Sequence, residues 1–312
     1  MALPPLIRFP SPPLSASLAG IPSVELKQHL VIFTPSPPGP KTTRKLLDAY
    51  FDRFGDNFVD YDDTWVAQER KPWNVHVRSW FFSSELPKLR QGPIWGYSWW
   101  DGKRTESRML MFHGFKPVSQ AEKASFFRFE FEWDLDPAEL RAFTEDALNI
   151  VECVSAYGGY FFSPLPQGEG TVQAWDQVYA WAKRYWGVEV DDLDVSADHM
   201  LEGFKCVSWL TAIGPSIGEK DPVAMEAGAA AATWSTVARG GVLFQAGESP
   251  ILGDRNRRAD LSAYQRLARA LLPLQVAKHQ SFAAPYDCRW DDSETEAWLR
   301  RFTDPGTFSG AG

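Results

Sequence analysis

Cysteine is scarce. Cys153, Cys206 and Cys288 are the only three in 312 residues, odd in number and far apart, which argues against a disulfide framework and predicts free, buried thiols in a reducing compartment. The five histidines, at 29, 76, 113, 199 and 279, are isolated from one another. With no HExxH, paired CxxC or EF-hand pattern beside them, no metal site and no cofactor are expected. The loop from Gly247 to Gly253 lacks the GK[ST] ending of a phosphate cradle. No apolar run approaches the roughly 18 residues of a membrane span. The start, MALPPLIRFPSPPLSASLAG, has no charged region followed by an unbroken apolar stretch, so a cytoplasmic protein is expected. A Lys/Arg excess is missing too: the net charge is −8 and the pI about 5.2, which disfavours direct nucleic-acid binding.

What is abundant is aromatic and acidic. Fourteen Trp and 21 Phe within a 44% hydrophobic chain supply a full core and suit contact surfaces as well. The acidity is uneven. Residues 1–159 carry 18 Lys/Arg against 20 Asp/Glu, residues 160–239 carry 5 against 11, and residues 240–312 carry 9 against 9. The middle third therefore holds most of the negative charge, a field suited to a cationic partner such as a basic nuclease.

Patterning predicts an α+β fold in which an antiparallel meander packs with several amphipathic helices. Prolines 4, 5, 10, 12, 13 and 22 set residues 1–24 apart as an extended, mobile segment; residues 25–304 form one domain and residues 305–312 a frayed tail. Leu30 to Thr34 reads as the first strand, and a helix capped by Thr42 or Thr43 follows and closes at Gly55. Val75, Val77 and Trp80 or Phe81 suggest a further strand by alternation. Residues 94–134 form a three-strand meander. Its last strand points Phe127, Phe129, Phe131 and Trp133 to one side and Arg128, Glu130, Glu132 and Asp134 to the other, so one face should be core and the other solvent or partner. Asp136-Pro137 starts a helix, Gly158-Gly159 turns into a short strand, a helix spans about 171–186, and GVEVDDLDVSAD (187–198) is placed in a surface loop. Asp221-Pro222 introduces an Ala-rich helix over 223–239.

The clearest stretch is 236–276. Gly240 and Gly241 stop a helix, Val242 to Phe244 form a core strand, a Gly/Pro-punctuated loop follows, and Leu261, Tyr264, Leu267, Ala268, Leu271 and Leu272 recur at helical spacing. Together with GFKCVSWLTAIG (203–214) and ETEAWLRRF (294–302), the sequence GGVLFQAGESPILGDRNR, Tyr264 and LARALLPL resembles the bacterial type VI secretion immunity family. The resemblance implies a protein that protects a cell by binding and neutralising a cognate toxic effector, and it carries no catalytic residues to transfer.

The candidate residues follow from this. Glu189, Asp191, Asp192, Asp194 and Asp198 read either as a solvated loop or as an inhibitory surface that steers a basic toxin. Trp99 and Trp100 are adjacent, so in a strand one of them can stand exposed as an aromatic anchor. Glu130 and Glu132, two apart on one strand face, complete the partner-binding set. The alternative is a hydrolase that uses Asp254, with His113 or another histidine, or the strand carboxylates Glu130 and Glu132; a third reading makes the chain itself an effector.

Overall fold

The computed structural model describes residues 14–18, 21–63, 70–91, 95–102, 108–113, 123–164, 171–283 and 288–308. Its strands are β1 (Ser15–Leu18), β2 (Ile21–Thr34), β3 (Asp60–Asp63), β4 (Lys71–Pro72), β5 (Trp95–Trp100), β6 (Arg108–His113), β7 (Ser125–Phe131), β8 (Ser155–Pro164), β9 (Leu210–Ile213), β10 (Thr233–Thr236) and β11 (Val242–Gln245). They join one 11-stranded sheet in the order β10-β11-β9-β8-β2-β7-β6-β5-β3-β4, with β1 paired to β2. Every pairing of named strands is antiparallel. The helices are α1 (Pro40–Phe54), α2 (Val75–Trp80), α3 (Pro137–Ile150), α4 (Thr171–Ala182), α5 (Leu193–Ser196), α6 (Pro215–Gly218), α7 (Pro222–Ala231), α8 (Ser262–Leu271), α9 (Asp292–Leu299) and α10 (Pro305–Phe308). The fold is α+β, with the expected meander as β5, β6 and β7.

The axis of the sheet is β2, which bonds β7 on one side and β8 on the other. Its alternate residues Val24, Leu26, Leu30 and Ile32 face a layer that holds α1, α3 and α4. There Phe129 and Phe131 meet Tyr50, Phe54 and Phe143 with ring centroids about 5 to 6 Å apart, as the period of two on β7 requires. The opposite row, Lys27, His29, Val31 and Phe33, is equally buried. Leu193, Ala197, Met200 and Val276 pack against its Val31 and Phe33, so the sheet is covered on both faces at β2.

Several expectations change for identifiable reasons. The first strand is far longer than Leu30 to Thr34 and starts at Ile21. The sheet itself begins at Ser15, upstream of the expected boundary at residue 25; residues 1–13 lie outside the described residues. Helix α1 is started by Gly39 and Pro40 at its first turn, not by a threonine cap, while Gly55 closes it at φ +80° as expected. Val75 to Trp80 is a helix capped by the Asn74 side chain; the cap outweighs the short alternation read as a strand. Gly158 and Gly159 lie inside β8, where they make room: a Cβ on Gly159, whose φ is +142°, would meet Trp209 at 3.1 Å. The Ala-rich helix ends at Ala231. Thr233-Trp234-Ser235-Thr236, with β-branched and aromatic residues, then forms an edge strand on β11. Helix α4 stops at Ala182. The tail is anchored over Pro305–Phe308, where Phe308 is fully buried and Lys183 caps its carbonyl at 3.2 Å. Leu272, counted in the α8 stripe, is exposed.

Candidate functional site

The acidic run enters the protein instead of lining a loop on its surface. β9 pairs only with residues 155–158 of β8. Glu189 fills the gap beside the other half of that strand: its N–H donates to the Tyr160 carbonyl (2.8 Å) and its carbonyl accepts from Phe162 (3.1 Å). The chain then crosses the second face of the sheet. Burial follows directly, with Glu189 at 1% and Asp191 at 4% exposure.

Both carboxylates are neutralised internally. Lys205 Nζ lies 2.8 Å from Glu189 Oε1 and 3.0 Å from Asp191 Oδ1, and it also donates to the Val190 carbonyl. His29 Nδ1 lies 2.9 Å from the other Asp191 oxygen, and Tyr157 donates its hydroxyl hydrogen to Asp191 at 2.6 Å. Arg301 sits 3.7 Å from Glu189 and donates to the Trp186 carbonyl at 2.9 Å. Burial alone would raise the Asp191 pKa; the Lys205 ammonium, with His29, overcomes it and holds the carboxyl well below the usual range. Burial would likewise depress Lys205, yet Glu189 and Asp191 keep it above its ordinary value. The Cys206 thiol, buried beside Glu189, is pushed up to about 12 and is therefore unreactive.

The remaining candidates separate. Asp192 caps α5 through Val195 and accepts from Ala283 N–H at 2.8 Å; burial raises its pKa to about 6. Asp198 pairs with Lys123. Of the five acidic candidates only Asp194 is exposed. Trp99 packs at 0% exposure against Trp73, Phe81 and Tyr97, and Trp100, on the other side of β5, is stacked by Arg70 at 7% exposure. Neither is an exposed anchor, because layers cover both faces of β5. Glu130 is buried and paired with Arg128 at 2.7 Å, while Glu132 lies past the end of β7, half-buried. The outward face expected for Arg128 and Glu130 is thus an inward one. Alternation identified two faces but could not say that both are covered.

Asp254 is held by Arg184 in a two-pronged pair at 2.8 and 3.0 Å and caps the turn after it through Asn256 N–H. The Arg184 hydrogen bonds hold its carboxyl below the ordinary value. This is a bracing carboxylate tying 184 to 254, far from a general base, and Asp254→Asn is expected to change stability by less than about 1 kcal/mol. Among the described residues no group of His, Cys, Asp and Glu is arranged to hold a metal ion.

One buried histidine does predict a pH response. His279 donates its Nδ1 hydrogen to the Gln280 carbonyl at 2.7 Å, so its Nε2 accepts from Ser196 Oγ at 3.0 Å. Burial lowers its pKa to about 3. The folded protein keeps the ring neutral where the unfolded chain, at its ordinary 6.5, binds a proton, so this group's contribution falls as pH drops through 6.5 toward 3. The expected loss is about 2 kcal/mol between pH 7 and 5. Asp192, raised to about 6, acts oppositely between about pH 6 and 4. Urea denaturation of wild type and His279→Gln across that range should show a shallower dependence in the variant; parallel curves would refute the assignment.

The profile of the TsiV family, described as type VI immunity for VRR-NUC, matches residues 59–302, well over half of the chain. The chain belongs to this immunity family. Among solved structures it is similar to the Pseudomonas aeruginosa T6SS protein PA0821, with a TM-score of 0.71 at 15% identity over 90% of this chain and 82% of that one. That likeness concerns the fold. No curated relative matches the chain. For a type VI immunity protein, the internal pairing of Glu189, Asp191, Glu130 and Asp254 leaves the hydrolase reading without a convergent pair of free carboxylates.

Proposed function

We propose that this chain is a cytoplasmic, non-catalytic immunity protein that binds a cognate effector bearing a VRR-NUC nuclease domain and inhibits it one-to-one. The family match over residues 59–302 carries the reading. Physical chemistry supports it. A nuclease surface must attract phosphates and is cationic where DNA binds, and a partner of net charge −8 is steered toward such a surface. No helix is long and apolar enough to cross a membrane among the described residues, which is compatible with meeting the toxin in the cytoplasm.

The test is growth of a bacterial host expressing a VRR-NUC effector from the organism that carries this gene, with and without this protein, followed by co-purification. Rescue and a one-to-one complex are expected. Rescue without any complex would sink inhibition by binding. Asp254→Asn should protect as well as the wild type; loss of protection in a folded Asp254→Asn protein would revive the enzyme reading.

A further inference from the structure

The two ends of the sheet are treated differently. At one end, β4 is only Lys71–Pro72, both exposed; a short edge bearing Lys and Pro resists pairing with another strand. At the other end, β10 offers Thr233, Trp234, Ser235 and Thr236 with no proline and no charge. It bonds β11 on one side, and no strand flanks its other side among the described residues. Thr233, Trp234 and Thr236 are exposed, Trp234 at 48%, although the residue opposite it on β11, Phe244, is fully buried.

This edge adjoins an open groove between α1 and α3, lined by Ala49, Asp52, Arg53, Glu139, Asp146 and Asn149 together with Ile150. The two are physically joined. Ser235 donates to Glu145 of α3 at 2.8 Å, and Asn149, a groove residue, accepts from Ala238 N–H at 2.8 Å in the hairpin after β10. Three carboxylates in the groove face a single cation, Arg53, which pairs with Asp146 at 2.7 Å and Glu139 at 3.5 Å.

We infer that β10 and the α1/α3 groove form one docking surface, on which the nuclease partner adds an extended segment to the β10 edge and sets basic side chains against Asp52, Glu139 and Asp146. The inference rests on the proposed immunity function and names its surface. Strand addition supplies backbone hydrogen bonds along an open edge, Trp234 supplies an aromatic anchor of the type that dominates binding energy, and the carboxylates supply complementary charge. A second copy of this chain fits less well, because two such acidic flanks would repel.

The experiment is amide hydrogen exchange on the full chain, alone at two concentrations and saturated with a catalytically inactive form of the cognate VRR-NUC effector, beside binding kinetics of two variants. Exchange in residues 233–236 is expected to slow at least tenfold in the complex and not with concentration alone. Trp234→Ala should weaken binding at least tenfold through faster dissociation. Asp52→Lys/Asp146→Lys should slow association and flatten its salt dependence. Both replace exposed or half-exposed side chains, and unchanged melting verifies folding. A tight complex with unprotected β10 and unaffected variants overturns this surface while the immunity function stands. Protection that grows with concentration alone assigns the edge to self-association and also overturns it. Absence of any complex removes the immunity reading, and the surface with it.

Discussion

Lys205→Ala is expected to lower the unfolding free energy by about 3 to 5 kcal/mol, because it leaves Glu189 and Asp191 charged in a dry interior. Lys205 is 1% exposed and is shared by both carboxylates at 2.8 and 3.0 Å. Against a typical domain stability of about 5 to 15 kcal/mol, that is enough to deplete the folded protein in cells. The neighbours decide the size of the effect. Tyr157, Phe282 and Trp298 surround the ammonium within about 5 to 6 Å of their ring centres, so little water can enter to solvate the stranded carboxylates. Removing the charges together should be far milder: Lys205→Met with Glu189→Gln and Asp191→Asn is expected to recover most of the loss. Urea melts of the single and triple variants decide it. A single-variant loss under about 1 kcal/mol would mean that the network is hydrated or that Arg301 and His29 suffice without the lysine.

Gly214→Ala is expected to be comparably damaging, for a steric reason. A Cβ there would sit 1.9 Å from the Cys153 carbonyl oxygen and 2.9 Å from that of Val154. Both obstacles are backbone, and Gly214 N–H is itself bonded to Val154 at 2.8 Å, so neither side can give way without losing the junction between β9 and the start of β8. Overpacking ordinarily costs about 1 to 3 kcal/mol; a contact this short against fixed backbone belongs at or above the upper end. The readout is the denaturation midpoint, with Gly306→Ala, an exposed position whose new methyl would be only 3.7 Å from an aspartate side chain, as the control. Equal midpoints would show that the β8–β9 junction is looser than drawn.

Local sequence was a good guide wherever one neighbour relation sufficed. Asp136-Pro137 and Asp221-Pro222 start helices, with each aspartate side chain accepting from the first turn. Phe127, Phe129 and Phe131 share a core face, and Tyr264, Leu267, Ala268 and Leu271 form the buried stripe of α8. It misled where the same pattern serves two environments. GVEVDDLDVSAD has the composition of a solvated loop, yet Lys205 and Arg301, 14 or more residues away in sequence, make its first two acids internal. Nothing in the spacing of those residues signals the pairing. The alternation of Arg128 and Glu130 with phenylalanines carried the right faces and the wrong solvent exposure for a similar cause: burial of a charge requires a partner and a covering layer, and neither is a local property.

The candidate surface shows the same division. Thr233 to Thr236 follow an alanine-rich run whose helical pattern extends over them, although their residue types favour a strand; β11 beside them, bonded from Gln245 to Val242, decides for the strand.

By itself, the sequence determined the class of this protein: an aromatic-rich, acidic α+β domain without a metal-binding motif, bearing C-terminal segments that resemble type VI immunity proteins. Tertiary structure alone decided which charges are spent inside and which remain for a partner. Helix caps, strand alternation and glycine stops act through neighbours a few residues apart and are written in the chain. The fate of Glu189, Asp191, Trp99 and Trp234 depends on which distant segment lies over them, and only the assembled sheet, with its covering layers and, among the described residues, a free edge along β10, sets that.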